Sequence, residues 1–354
     1  MSLIHGGDIN GYIMQYGKPP LDFSANINPF GIPHGVKAAV AAAIENADAY
    51  PDPLCRKLVN AISQFEGVPS DCIFCGNGAA DIIFRIALAL KPRLALIAAP
   101  TFAEYEQAAD TVGCKIKLHH LKAENDFMLT NSIIEQIDSN TDIVFICNPN
   151  NPTGQTADVE LVKAIADKCR ECAAVLVLDE CFADFLDEPL KYTFKPYLNG
   201  YGNLIILKAF TKLYGMAGIR LGYCLCSNID ITQQLKKAGQ PWAVSSLAQA
   251  AGIAALKEND YVKTTRELIK AERKYLYESF CKLGIKVIGS QANYIFFKTD
   301  AEDLDSILKD YGILIRSCSN YHGLDNTYYR IAVRTHGENQ QLIAAIKHIT
   351  EIHR

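Results

Sequence analysis

The segment Leu207-Lys208-Ala209-Phe210-Thr211-Lys212-Leu213-Tyr214-Gly215-Met216-Ala217-Gly218-Ile219-Arg220-Leu221-Gly222 sets a lysine at the end of an apolar run, beside a hydroxyl residue. An arginine follows eight residues later, in a glycine-rich turn. The lysine supplies an amine able to form an imine with a carbonyl, and Thr211 and Arg220 supply two groups for a phosphate. Most lysines are plain surface residues, so the reading depends on what surrounds this one.

Upstream, short apolar runs alternate with amphipathic helical stretches, the pattern of a mostly parallel sheet covered by helices. The expected strands are Cys72–Cys75, Leu94–Ala98, Ile143–Cys147, Val175–Leu178, Leu204–Leu207 and Leu221–Cys226. The first five run directly into polar or glycine-containing loops: Gly76-Asn77-Gly78, Pro100-Thr101-Phe102, Asn148 to Gly154, Asp179-Glu180 and Thr211-Lys212. In open α/β sheets ligands gather at the carboxyl ends of strands, so these loops are expected to converge. A charged helix from about Asp260 to Cys281 reads as a connector. Beyond it, Lys286–Ile288, Tyr294–Phe297, Ile313–Arg316 and Tyr328–Val333 read as strands of a smaller α+β domain closed by a helix over Asn339–Ile352. The expected division is an arm over residues 1–44 joining the small domain, a large domain over 45–245, and a small C-terminal domain with its connecting helix over 246–354.

Two of the loops carry chemistry on physical grounds alone. Asp179 ends an apolar strand, where an unpaired charge is costly and calls for a cation. Gly76-Asn77-Gly78-Ala79-Ala80-Asp81 leads into a helix over Ile82–Leu90. Its backbone N–H groups, at Gly78, Ala79 and Ala80, can cradle a phosphate at the positive end of the helix dipole.

The lysine segment resembles that of the class I/II aminotransferases, pyridoxal-phosphate enzymes of fold type I, and the other loops match that family in order along essentially the whole chain. The resemblance implies an α/β fold with a large, mostly parallel sheet domain and a small α+β domain. It implies pyridoxal 5'-phosphate as cofactor, held by Lys212 as an imine. It also implies that Asp179 faces the pyridine nitrogen, that Asn151, in Asn148-Pro149-Asn150-Asn151-Pro152-Thr153-Gly154, meets the phenolic oxygen, and that Phe102 stacks on the ring. Gly78, Ala79, Ala80, Thr211 and Arg220 complete the phosphate cup, and Tyr50 reaches the phosphate of a neighbouring subunit in a homodimer with shared sites. Two positions depart from the common pattern. Ala209 stands where many relatives have a phosphate-binding hydroxyl, and Phe182 where many have a tyrosine near the ring oxygen.

The ends of the chain narrow the resemblance. His5-Gly6-Gly7-Asp8, Asp22-Phe23-Ser24-Ala25-Asn26-Ile27-Asn28-Pro29-Phe30-Gly31, Ile315 to Tyr321 and Tyr329 to Thr335 look like the threonine-phosphate decarboxylases. The nearest alternative is the histidinol-phosphate aminotransferases. The implied reaction is decarboxylation of L-threonine O-3-phosphate to (R)-1-amino-2-propanol O-2-phosphate in cobalamin biosynthesis. A small phosphorylated amino acid suits the residues: Arg330 can grip a carboxylate through two parallel hydrogen bonds, and Arg316 on an adjacent strand can take a second acid group. His5, Gly6, Gly7 and Asn28 are the further expected substrate contacts.

Composition agrees with a folded enzyme. Hydrophobic residues make up 49% and charged residues 21% of 354, and 354 residues favour two domains. A formal net charge of −4 without a dense basic block argues against nucleic acid as a partner. No apolar stretch reaches the roughly 18 residues that would cross a membrane, and the N-terminus has no leader pattern, so a cytoplasmic location is expected. The twelve cysteines are scattered, several within apolar runs, and are expected to be reduced and buried. The Cys72/Cys75 and Cys169/Cys172 spacings lack nearby histidines, and no metal is expected.

Overall fold

The computed structural model describes residues 6–352. In chain order the elements of the first part are α1 (Ile9–Tyr16), β1 (Leu21–Asp22), α2 (His34–Ile44), α3 (Arg56–Glu66), β2 (Ile73–Gly76), α4 (Gly78–Leu90), β3 (Leu94–Ala99), α5 (Glu104–Asp110), β4 (Lys115–His120), β5 (Ile143–Cys147), α6 (Val159–Glu171), β6 (Val175–Asp179), β7 (Leu204–Ala209), α7 (Phe210–Leu213), β8 (Gly222–Leu225) and α8 (Ile229–Lys237). The second part comprises α9 (Ser246–Ala255), α10 (Asn259–Lys282), β9 (Lys286–Gly289), β10 (Tyr294–Lys298), α11 (Leu304–Asp310), β11 (Ile313–Leu314), β12 (Arg316–Ser317), β13 (Tyr328–Ala332) and α12 (His336–Ile352).

A seven-stranded sheet in the order β2-β8-β7-β6-β5-β3-β4 forms the large domain. From β7 to β4 the pairs are parallel, and β8 runs antiparallel to β7 and β2. The central strands are apolar without interruption because helices cover both faces. Val144, Ile146, Leu176 and Leu178 pack into the core on one side, and Phe145, Val177, Ile205 and Leu207 on the other. Register sets Asp179 opposite Cys147 on one neighbour and Leu207 on the other, so β5 and β6 finish level and β7 runs two residues further, to Ala209. Strand β4 is missing from the sequence expectation. It is an edge strand whose Lys115-Ile116-Lys117-Leu118-His119-His120 alternates and stays half exposed, so it never shows as an apolar run.

The small domain has a four-stranded antiparallel sheet, β12-β13-β10-β9, and a parallel pair, β1-β11. The expected single strand Ile313–Arg316 is therefore two. Ile313 and Leu314 pair with Leu21 and Asp22 of the arm, whereas Arg316 and Ser317 pair with Arg330 and Tyr329. Helix α10 buries Thr265, Ile269, Leu276 and Phe280, a spacing that keeps them on one helical face. Removing a fully buried side chain such as Leu276 costs about 2–5 kcal/mol.

The arm joins the small domain through β1 and through Tyr12, whose hydroxyl donates to Lys309 O at 2.8 Å. Helix α2 packs on α9 instead. Helix α9 in turn lies on α3, where a Cβ at Gly252 would meet Leu58 and Leu221. Helix α10 packs on α12, β9 and β10 of the small domain.

Candidate active site

A cavity of about 260 Å³ opens between the carboxyl ends of the large sheet and the small domain, and Ala79, Phe102, Asn151, Asp179, Thr211 and Lys212 line it. The five loops expected to converge do so here.

Lys212 sits in the one-turn helix α7 directly after β7. Both the arm and the connector brace that turn. Asn28 N–H donates to Lys212 O at 3.1 Å, and its side-chain Nδ2 donates to Leu213 O and Thr265 Oγ1, each at 2.7 Å. The Lys212 amine lies 5.8 Å from the centre of the Phe182 ring. Burial, and next the positive charge of Arg330, pull its pKa down to about 8. An amine so placed is largely neutral at mildly alkaline pH, as attack on a carbonyl requires.

Asp179 is buried. Tyr105 donates its hydroxyl to Oδ2 at 2.6 Å, and the Cys181 backbone N–H donates to Oδ1 at 2.9 Å. Both donors are neutral, and among the described residues no salt bridge reaches this carboxylate. A protonated ring nitrogen in the cavity fits that demand.

At the other end, α4 begins at Gly78, one turn earlier than expected, so Ala79 and Ala80 occupy its first turn and line the cavity. Their N–H groups belong to the set a helix leaves without internal partners. Gly78 has φ +84°, and a Cβ there would lie 2.5 Å from Arg220 Nη2. Glycine is what lets the arginine close over the helix end. Thr211 and Arg220 line the same end, as does Ala209, which brings no hydroxyl. The donors present suit a phosphate.

The small-domain wall carries the cations. Arg316 and Arg330 are direct partners across the β12/β13 pair, and both are buried. Arg330 donates from Nη1 to Asn151 Oδ1 and from Nη2 to Ser24 O at 2.8 Å, while its buried Nε has no partner. With Asn151 Oδ1 occupied by a guanidinium, the group Asn151 offers a ligand is its NH2. Arg316 donates from Nη2 to Asn320 Oδ1 at 2.8 Å and lies 5.4 Å from the centre of the Tyr321 ring.

Several expected contacts are placed differently. Asn28 lies outside the cavity lining, with both amide hydrogens already used in bracing the lysine turn. Gly7 donates its N–H to Ser24 Oγ at 2.6 Å and so does not offer it to a substrate, whereas Gly6 lines the cavity. His5 lies outside the described residues. Tyr50 is 82% exposed, stands beside Trp242 with ring centres 4.8 Å apart, and does not line the cavity of its own chain.

Motif reading passed over Asn26, Glu104, Tyr105 and Cys181. Asn26 is 3% exposed, lines the cavity, and has no partner for either side-chain polar atom. Two residues from Asn28 in the same loop, it has the property expected of Asn28. An unsatisfied buried amide in a cavity wall is a site for a ligand. Tyr105 follows the Phe102 loop by one helical turn and carried no motif signal.

The model for aminotransferase class I and II matches residues 18–349. Threonine-phosphate decarboxylase of Salmonella typhimurium is 38% identical over 351 residues, covering 98% of this chain and 96% of that protein. Histidinol-phosphate aminotransferase 1 of Cupriavidus pinatubonensis is 33% identical over 331 residues, covering 92% and 86%. Among solved structures, the histidinol-phosphate aminotransferase from Clostridium acetobutylicum superposes with a TM-score of 0.88 at 31% identity, covering 94% of this chain and 99% of that one. The chain belongs to the class I and II aminotransferase family, with the fold type I architecture and pyridoxal 5'-phosphate as its cofactor.

Proposed function

We propose that the chain decarboxylates L-threonine O-3-phosphate to (R)-1-amino-2-propanol O-2-phosphate, a step of cobalamin biosynthesis. The observation that carries this reading is the direct cross-strand pairing of Arg316 with Arg330 in the cavity wall. Like charges opposite one another repel, so the pair is best accommodated by a ligand with two acid groups, one for each guanidinium. Arg316 holds the phosphate, Arg330 orients the carboxylate, and Asn26 supplies a further polar contact. The 38% identity to a threonine-phosphate decarboxylase over nearly the whole chain supports the same reading.

When bound, pyridoxal phosphate supplies the sink for the electron pair left at Cα. Lys212 would hold the cofactor through its amine, Asp179 would face the ring nitrogen, and Phe102 would pack on the ring. Asn151 would donate to the phenolic oxygen, and Thr211, Arg220 and the first turn of α4 would hold the phosphate. Arg316 and Arg330 would fix the orientation of the substrate's acid groups in the cavity, and with it the bond presented for cleavage. Phe182 beside the lysine amine, where a tyrosine would add a hydroxyl, favours a reaction other than ordinary transamination. Tyr50, exposed at the surface, is assigned to the cofactor phosphate of a second subunit in a homodimer. No helix among the described residues is long and apolar enough to cross a membrane. The twelve free cysteines suit a reducing compartment, and we place the enzyme in the cytoplasm.

Incubation with L-threonine O-3-phosphate is expected to release carbon dioxide and the amino alcohol phosphate. The histidinol-phosphate aminotransferase relatives define the competing reading. Transamination of histidinol phosphate to 2-oxoglutarate, with no carbon dioxide from threonine phosphate, would establish that reading and end this one.

A further inference from the structure

Tyr105 is fully buried in the first turn of α5, and its hydroxyl meets Asp179 Oδ2 at 2.6 Å. Its ring stacks on Phe145, with centres 5.1 Å apart and planes 16° apart, and stands edge-on to Phe102 at 5.7 Å and 76°. The second carboxylate oxygen is held by the Cys181 N–H at 2.9 Å. Each oxygen therefore has one fixed donor, which sets the plane of the carboxylate and leaves its remaining lone pairs to the cavity.

We propose that Tyr105 is a positioning residue that holds Asp179 aimed at the ring nitrogen of the cofactor. The inference rests on the reading of Asp179 as that nitrogen's partner. A hydrogen bond donated to a carboxylate stabilises its charged form. Between Asp179 and a ring nitrogen one proton is contested, and a donor on Asp179 leaves the proton on the ring. A lysine or arginine in place of Tyr105 would neutralise the carboxylate outright and compete with the ring. A phenol lends a hydrogen bond without a charge. Burial, and then the Asp179 charge itself, push the Tyr105 hydroxyl far above its ordinary value, so it remains a donor over the whole working pH range. Its edge contact with Phe102 ties the same side chain to the residue assigned to the ring face, so carboxylate and stacking ring share one support.

The test uses holoenzyme reconstituted with cofactor labelled with nitrogen-15 in the ring, and reads the nitrogen chemical shift, kcat, KM and melting temperature. Tyr105→Phe removes the donor and keeps the ring. It is expected to move the resonance toward the unprotonated position and to lower kcat about 10- to 100-fold, with KM changed less than about twofold. Phe145→Leu disturbs the same stack without touching the hydroxyl, and is expected to lower the melting temperature while leaving resonance and kcat in place. An unmoved resonance and kcat in Tyr105→Phe, or equal changes in Phe145→Leu, overturns the proposal. Asp179→Asn separates the two claims. If it shifts the resonance and Tyr105→Phe does not, only the role of Tyr105 fails. If it leaves the resonance unmoved, the reading of Asp179 fails. Should Tyr105→Phe not fold, a ring-fluorinated tyrosine at 105 keeps the shape and alters donor strength: a resonance that responds supports the proposal, and one that does not overturns it.

Discussion

The guanidinium of Arg330 donates to the side-chain oxygen of Asn151, binding β13 of the small domain to the loop that follows β5 of the large one. A second donation, to Ser24 O at 2.8 Å, adds the arm. Held this way, Arg330 keeps its charge near the Lys212 amine, where it ranks next to burial among the causes that lower the amine's pKa.

Capture of pyridoxal phosphate by the cofactor-free enzyme should therefore quicken as pH rises and level off above about 8, the value to which the Lys212 amine is pulled. Arg330→Gln removes a repelling charge, so the midpoint moves up. The native value lies below the unfolded one of about 10.4. Across that window the unfolded chain binds a proton that the native chain does not, and this group's contribution to stability rises with pH. Stopped-flow absorbance against pH measures the midpoint, and one that stays put in Arg330→Gln contradicts the coupling.

Arg316→Ala is expected to raise KM for threonine phosphate about 10- to 100-fold, the scale of lost charge-assisted hydrogen bonds. Free threonine, lacking the phosphate, should lose much less, and cofactor affinity should not change. Equal losses for both substrates would show that Arg316 does not read the phosphate.

Gly78→Ala places a Cβ at φ +84° and 2.5 Å from Arg220 Nη2. Backbone strain on the order of 1–3 kcal/mol and a displaced guanidinium should weaken cofactor binding roughly tenfold or more. Equilibrium dialysis decides this, and unchanged affinity would remove Arg220 and Gly78 from the phosphate end.

Asn26 and Asn28 make opposite predictions. Asn28→Ala deprives Leu213 O and Thr265 Oγ1 of their donor and should cost about 2–4 kcal/mol in denaturant unfolding. Asn26→Ala removes a side chain with no partner in the protein, so stability should hold or rise while KM for the substrate increases. The reverse pattern would restore Asn28 as the substrate contact.

The order of the loops, the lysine turn, the terminal aspartate and the glycine loop leading into α4 were legible in the chain because each is a local pattern. An uninterrupted apolar run makes a strand buried on both faces, polar punctuation ends it, and the β/α alternation brings the ends together. Edge strand β4 escaped because half-exposed alternation is a weaker signal than an apolar run. Tertiary structure alone decided which of two asparagines, two residues apart, faces the cavity. Asn26 and Asn28 have the same chemistry, and only the packing of the arm on Leu213 and Thr265 assigns one to bracing and the other to the ligand. The same holds for Tyr105, a core aromatic by its neighbours in sequence, whose hydroxyl finds Asp179 74 residues away because β3 and β6 both flank β5 in the sheet. Local sequence carries backbone conformation and burial, whereas the partner of a polar atom is set by how distant segments meet.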